Sequence, residues 1–191
     1  MKRDPEFSSG QNWQSWMKDF RFGTLVFIPT GDLRQTADVL REQFDPTSAR
    51  TSAAHITLTQ PLATAPTDAD LEQIEQVISS LTRFNIQIGP ATTSPNKKLL
   101  WLDVNPKDPI LALRENLHRE SFFRTDLPLT KGFIPHLTIS ELPRDDKEVI
   151  AINKDLNSKI STWNILFSSV VWIVPDENFI FRETRIFQLK T

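Results

Sequence analysis

Two segments of the chain, His55-Ile56-Thr57-Leu58-Thr59-Gln60 and His136-Leu137-Thr138-Ile139-Ser140-Glu141, share one order: histidine, aliphatic, threonine, aliphatic, hydroxyl, polar. Only three histidines occur in the 191 residues, and two of them open this pattern. A strand sends alternate side chains to opposite faces, so each segment presents its imidazole and threonine hydroxyl on one face and its aliphatics on the other. Two imidazoles near neutrality supply a base and an acid, the pair needed for in-line displacement at a phosphodiester. One takes the proton of the nucleophile and the other protonates the leaving oxygen. The two threonines are placed to donate to the non-bridging oxygens, and the scheme requires no metal and no cofactor. A single His-x-Thr on a strand is more often a packing feature than a site. Two copies in the same register are hard to obtain from core packing alone.

The elements around the motifs alternate between the two periodicities. Thr24–Ile28 reads as a buried strand, and Leu33, Ala37, Leu40 and Phe44 recur at helical spacing before Pro46. The first motif strand spans about 54–59. A helix over 67–81 follows, with Leu71, Ile74, Val77, Ile78 and Leu81 on one stripe, and then strands at 84–88 and 99–104. The polar stretch between those strands, holding Lys97 and Lys98, reads as an exposed hairpin loop. A third helix is expected over 108–122, entered through Pro109, then a loop over 124–135, the second motif strand, and a helix from about 146 to 160. Strands over 165–174 and 179–189 close the chain. The order suggests a degenerate duplication in which each half contributes one motif and the motifs meet face to face across a cleft.

At these residues the chain resembles the 2H phosphoesterases, a superfamily that includes 2′-5′ RNA ligases and cyclic nucleotide phosphodiesterases and is defined by two His-x-(Thr/Ser)-hydrophobic motifs. Both motifs match in full, as His55-Ile56-Thr57-Leu58 and His136-Leu137-Thr138-Ile139, and Phe133-Ile134-Pro135 precedes the second in the family's manner. The resemblance covers about 22–189. It implies an α+β fold, a bilobal pseudo-symmetric duplication with two antiparallel sheets facing a central groove and helices on the outer faces. It also implies a metal-independent phosphoesterase acting on a 2′,3′-cyclic phosphate, a 2′-5′-linked oligonucleotide or a related ribose cyclic phosphate, with a role in RNA processing. His55 and His136 would be its acid/base pair and Thr57 and Thr138 its phosphate donors. Ligation uses the same pair in reverse, and a non-catalytic module that binds an RNA end or a nucleotide messenger would keep the same four residues.

Composition bounds these readings. Basic and acidic residues number 22 and 24, a net charge of −2, which excludes a broad positive field for coating nucleic acid but leaves room for a local anion pocket. The absence of cysteine removes disulfides, thiolate zinc sites and thiol nucleophiles, and points to an intracellular, cytoplasmic protein. No stretch approaches a membrane-spanning length. Residues 1–16 are set apart as a poorly structured N-terminal segment with the look of a cloning scar, and 17–191 as one two-lobed domain. The expected partner is a small nucleotide or RNA terminus as substrate; no protein partner is implied, and a monomer is expected.

Further substrate contacts are expected from Phe133, placed to stack on a base, and from Lys131, Arg144 and Arg50, which flank the motifs and suit terminal phosphates. Trp101 and Trp172 fall on strands and read as core, with one face able to border the groove. His118 lies on an amphipathic helix, lacks the motif, and reads as a boundary histidine. Gln60 and Glu141 read as strand-end caps.

Overall fold

The computed structural model describes Gly10 and residues 12–94, 99–127, 132–141 and 145–191. Eight strands form one curled antiparallel sheet. The motif strands β2 (Ile56–Thr57) and β5 (His136–Ser140) are neighbours at its centre. Outward from β2 run β1 (Thr24–Phe27), β7 (Ser169–Pro175) and β8 (Phe181–Gln188). Outward from β5 run β4 (Leu100–Asn105), β3 (Phe84–Thr93) and β6 (Trp163–Phe167). The full order is thus β6-β3-β4-β5-β2-β1-β7-β8. The two sheets expected from the sequence are therefore the two halves of this one, joined where Ile56 pairs with Leu137. The motifs lie side by side across that seam and not on opposed walls. Each half holds one motif strand, but the halves are not consecutive in the chain, because β7 and β8 return from the C-terminus to complete the half begun by β1 and β2.

Alternation builds the layers. Leu25 and Phe27, Ile56 and Leu58, and Leu137 and Ile139 turn to the helix-covered face and are essentially without solvent exposure. There they meet Leu33, Ala37 and Leu40 of α1 (Gly31–Phe44), Ile74 and Ile78 of α3 (Asp68–Ser79) and Ile110, Leu113 and Leu117 of α4 (Asp108–Leu117). Leu156 of α5 (Asp146–Lys159) completes the layer. Phe167 stacks against both Phe27 and Phe84, at 4.6 and 4.8 Å between ring centroids, so the two halves share one core. Local signals set the helix starts. Thr67 and Asp70 form a reciprocal capping box on α3, and the Asp145 carboxylate accepts the Glu148 N–H at 2.8 Å on α5.

Several elements differ from the sequence expectation. The strand expected over 165–174 is two strands, broken at Ser168, where the chain crosses from one half of the sheet to the other. The third helix stops at Leu117 and not at 122; turns over 118–122 take its place and carry Phe122 and Phe123 into the core. A short helix, α2 (Pro46–Thr51), precedes the first motif where the sequence pattern shows none. Trp13, inside the segment set apart as 1–16, is nearly buried, and its indole N–H donates to the Glu177 carbonyl at 3.0 Å. No helix among the described residues is long and apolar enough to cross a membrane.

Candidate active site

The site starts from the single pair that joins β2 to β5. With Ile56 opposite Leu137 in an antiparallel ladder, extending the register by one residue each way sets His55 against Thr138 and Thr57 against His136. The two histidines are then diagonal neighbours on adjacent strands, a spacing of about 7–8 Å between backbones. All four side chains line one groove of about 760 Å³ on the face of the sheet opposite the helices.

Each imidazole is held in the same way. His55 Nδ1 lies 2.8 Å from the Ala53 carbonyl and His136 Nδ1 lies 2.6 Å from the Ile134 carbonyl, in each case two residues back. A carbonyl only accepts, so Nδ1 carries the proton in both rings and Nε2 keeps a lone pair while the ring is neutral. The backbone that supplies the first carbonyl is itself tied down. The Ala54 N–H donates to Asp38 at 2.7 Å, and buried Asp45 accepts from Ser48 N at 3.1 Å at the start of α2 and from Glu141 N at 2.9 Å beyond β5.

The surroundings of the two rings differ. On β1, Val26 pairs with Thr57, so Ile28 comes opposite His55. On β4, Trp101 pairs with Thr138 and Asp103 with His136. One imidazole thus faces aliphatics and the other faces an indole and a carboxylate. The Trp101 ring stacks on His136 at 4.2 Å between centroids, an arrangement that favours an imidazolium over a neutral ring. Burial pushes His55 down to about 4; the Ala53 carbonyl and Asp38 oppose this, while Arg41 and His136 add to it. Burial lowers His136 as well, but the Ile134 carbonyl and Asp103 pull it back. Asp103 is in turn held by Lys107 at 2.8 Å. Burial alone would raise the Asp103 carboxyl, but hydrogen bonds from Lys107 and Asn105 outweigh it and keep the group below the usual carboxylate range.

Two buried arginines strap the halves together. Arg41 of α1 donates from Nη1 to the Thr138 carbonyl at 3.0 Å and from Nη2 to the Ser48 and Ser52 carbonyls at 2.9 and 3.1 Å. Arg114 of α4 donates to the Leu58 carbonyl at 2.8 Å. Each arginine therefore rises from one half and holds backbone at the motif of the other. Phe133 borders the groove with the Arg114 guanidinium 4.0 Å above its ring, which covers one face of the ring. Arg50 lies at the end of α2 in a smaller pocket beside His55. Lys131, Arg144, Lys97 and Lys98 lie outside the described residues.

Residues 29–178 match the family model of the 2′-5′ RNA ligase superfamily. The chain belongs to this superfamily. Similar folds are found in E. coli LigT complexed with 3′-AMP, at 16% identity and TM-score 0.54 over 88% of this chain and 97% of that one. TT0787 of Thermus thermophilus is similar at 13% identity and TM-score 0.58 over 87% of this chain and 97% of that one. No curated protein matches the sequence. Membership in the 2′-5′ RNA ligase superfamily agrees with the resemblance to 2H phosphoesterases read from the two motifs.

Within this member of the superfamily, some groove residues escape motif reading. Arg41 and Arg114 each carried a usable signal: Ala37-Leu40-Arg41-Phe44 and Ile110-Leu113-Arg114-Leu117 place an arginine at the same point of an apolar stripe in both halves. Trp16, Phe20, Phe179 and Phe181 form an edge-to-face aromatic wall at one border of the groove, with Trp16 left 50% exposed. Nothing periodic announces that wall, because it joins the N-terminal turn to the β7–β8 connection. Trp101 borders the groove, whereas Trp172 is core and donates to the Phe22 carbonyl at 3.0 Å.

His118 proves structural: its Nε2 accepts the Gln60 N–H at 3.0 Å, which requires a neutral ring. Burial and then Arg114 push it down to about 4. A histidine harder to protonate folded than unfolded loses stability as pH falls through the unfolded value near 6.5, and the loss is complete near 4. With partial solvent access the cost is about 2 kcal/mol for such a ring. The urea midpoint is expected to drop between pH 7.5 and 4.5, and to drop less in His118→Gln, whose amide accepts the same N–H without titrating. Equal drops in both proteins would remove His118 from the explanation.

Proposed function

We propose that this protein is a metal-independent phosphoesterase acting on a ribose phosphodiester, a 2′,3′-cyclic phosphate or a 2′-5′ linkage, with His55 and His136 as its acid/base pair. The observation that carries the reading is the matched pair of imidazoles. Both are locked through Nδ1 to a carbonyl two residues back, and they stand diagonally across the seam of one groove. That a nucleotide, 3′-AMP, occupies E. coli LigT of similar fold supports a ribose phosphate as ligand.

In hydrolysis His55 acts as base, because its aliphatic neighbours and burial keep it unprotonated at neutral pH. His136 acts as acid: burial holds it below the ordinary imidazole value, but Asp103 and the Trp101 ring favour its protonated form, and a bound anionic substrate favours it further. His55 Nε2 takes a proton from water as the water oxygen bonds to phosphorus. The bond from phosphorus to the ribose oxygen breaks, and His136 gives its proton to that oxygen. Thr57 and Thr138 donate to the non-bridging oxygens as charge builds there. Ligation would put a 5′-hydroxyl in the place of the water: its oxygen bonds to the phosphorus of the cyclic phosphate, the bond to one ribose oxygen breaks, and the same two histidines take and give the protons.

The test is product analysis with a panel of 2′,3′-cyclic nucleotides and 2′-5′ dinucleotides in the presence of a chelator. Turnover is expected to persist, and Thr57→Val and Thr138→Val are each expected to lower kcat by about 10- to 100-fold with the fold retained. Binding without turnover by the intact protein would favour a nucleotide-binding module instead.

A further inference from the structure

Beside His55 the groove opens into a second pocket of about 310 Å³, bounded by Arg34 at the start of α1, Arg50 at the end of α2 and Arg182 at the start of β8. The two cavities share Ser52, His55, Ile173 and Phe181, so a molecule crossing the histidine pair can run from one into the other. Three guanidiniums from three separate elements meet there with a single carboxylate, Glu183. Arg182 is engaged by Asp176 at 3.0 Å. Arg34 hangs between Asp38 at 3.6 Å and Glu183 at 3.8 Å, beyond hydrogen-bond length to either. The exposed Arg50 side chain has no ion-pair or hydrogen-bond partner among the described residues.

The groove around the histidines is different. Its two described arginines, Arg41 and Arg114, are buried; each gives donors to backbone carbonyls, and Arg41 Nε and Arg114 Nη2 have no hydrogen-bond partner within the protein. Among the described residues, the accessible positive charge next to the groove is thus concentrated in the smaller pocket. Guanidiniums converging in a concave site are suited to a phosphate, which they grip through several N–H donors at once.

We propose that this pocket is a second phosphate subsite, so that the preferred substrate carries another phosphate in addition to the one between His55 and His136. The inference rests on the phosphoesterase reading of the groove and narrows it. A lone nucleoside cyclic phosphate would leave the pocket empty. Two sources supply the second phosphate: a terminal 5′-monophosphate, or the internal phosphodiester of an oligonucleotide ending in the cyclic phosphate.

Three substrates separate these cases: adenosine 2′,3′-cyclic phosphate with a free 5′-hydroxyl, the same molecule with a 5′-phosphate, and a dinucleotide ending in the cyclic phosphate. At least a tenfold advantage in kcat/KM, carried by KM, is expected for one of the last two over the first, and which one wins identifies the source. In Arg50→Ala, and more fully in Arg50→Ala/Arg182→Ala, that ratio should fall toward one. Calorimetric binding of adenosine 3′,5′-bisphosphate against adenosine 3′-monophosphate gives a readout independent of turnover, with the same preference and the same collapse expected. No preference in the wild type, or a preference the variants leave intact, overturns the subsite. If neither these cyclic phosphates nor a 2′-5′ dinucleotide is turned over, the phosphoesterase reading fails, and the binding ratio still decides the pocket.

Discussion

Replacing either His55 or His136 by glutamine is expected to lower kcat by about 10²- to 10⁴-fold, with folding preserved, because in the proposed mechanism each ring supplies one proton transfer and neither is part of the core. The two variants should part company on a phosphodiester with an acidic leaving group such as p-nitrophenol. That leaving group departs without protonation, so the variant lacking the acid recovers and the variant lacking the base does not. Asp103 and Trp101 stand beside His136, while Val26 and Ile28 stand beside His55, so His136→Gln is the one expected to recover. Recovery of His55→Gln alone would reverse the assignment. Equal and undiminished activity in both variants would remove the histidine pair from the chemistry altogether.

The second large effect concerns stability. Arg41→Met keeps the volume of the side chain but removes donors from the carbonyls of Thr138, Ser48 and Ser52, all near the motifs. Leaving a buried network half-made costs about 3–5 kcal/mol, a large part of the roughly 5–15 kcal/mol that typically separates folded from unfolded chains. Chemical denaturation of Arg41→Met should show that loss. Arg41→Lys should fall between, since an ammonium on a flexible stem reaches fewer of these acceptors at once. Arg114→Met, which takes a donor from the Leu58 carbonyl, is expected to cost less. An Arg41→Met midpoint within about 1 kcal/mol of wild type would show that the strap is dispensable.

Much of this was legible in the chain. Alternation across Ile56-Thr57-Leu58 and Leu137-Thr138-Ile139 placed hydroxyls on one face and core aliphatics on the other, and the structure has them so. The helix stripes were legible too, since Leu33, Ala37 and Leu40 or Ile74 and Ile78 leave no other way to bury them. What escaped depends on contacts distant in sequence. The break at Ser168 shows in the sequence only as the pair Ser168-Ser169 inside an apolar run, too little to divide one strand into two, and only the crossing between halves requires it. Helix α2 is short and polar, and it forms because Asp45 caps it while also holding the Glu141 N–H. Trp13 and Trp16 read as a tail until Phe179, far along the chain, gives them something to pack against.

The reciprocal straps make each half-site depend on the other half for its support. A chain with only one repeat would lack the arginine that secures its own motif and could obtain it only from a second copy, as a twofold dimer. In such a dimer symmetry makes both histidines equivalent, and neither can be committed to giving or taking the proton. In one polypeptide the two halves are free of that constraint, and the positions opposite the motifs differ: Val26 and Ile28 on one side, Trp101 and Asp103 on the other.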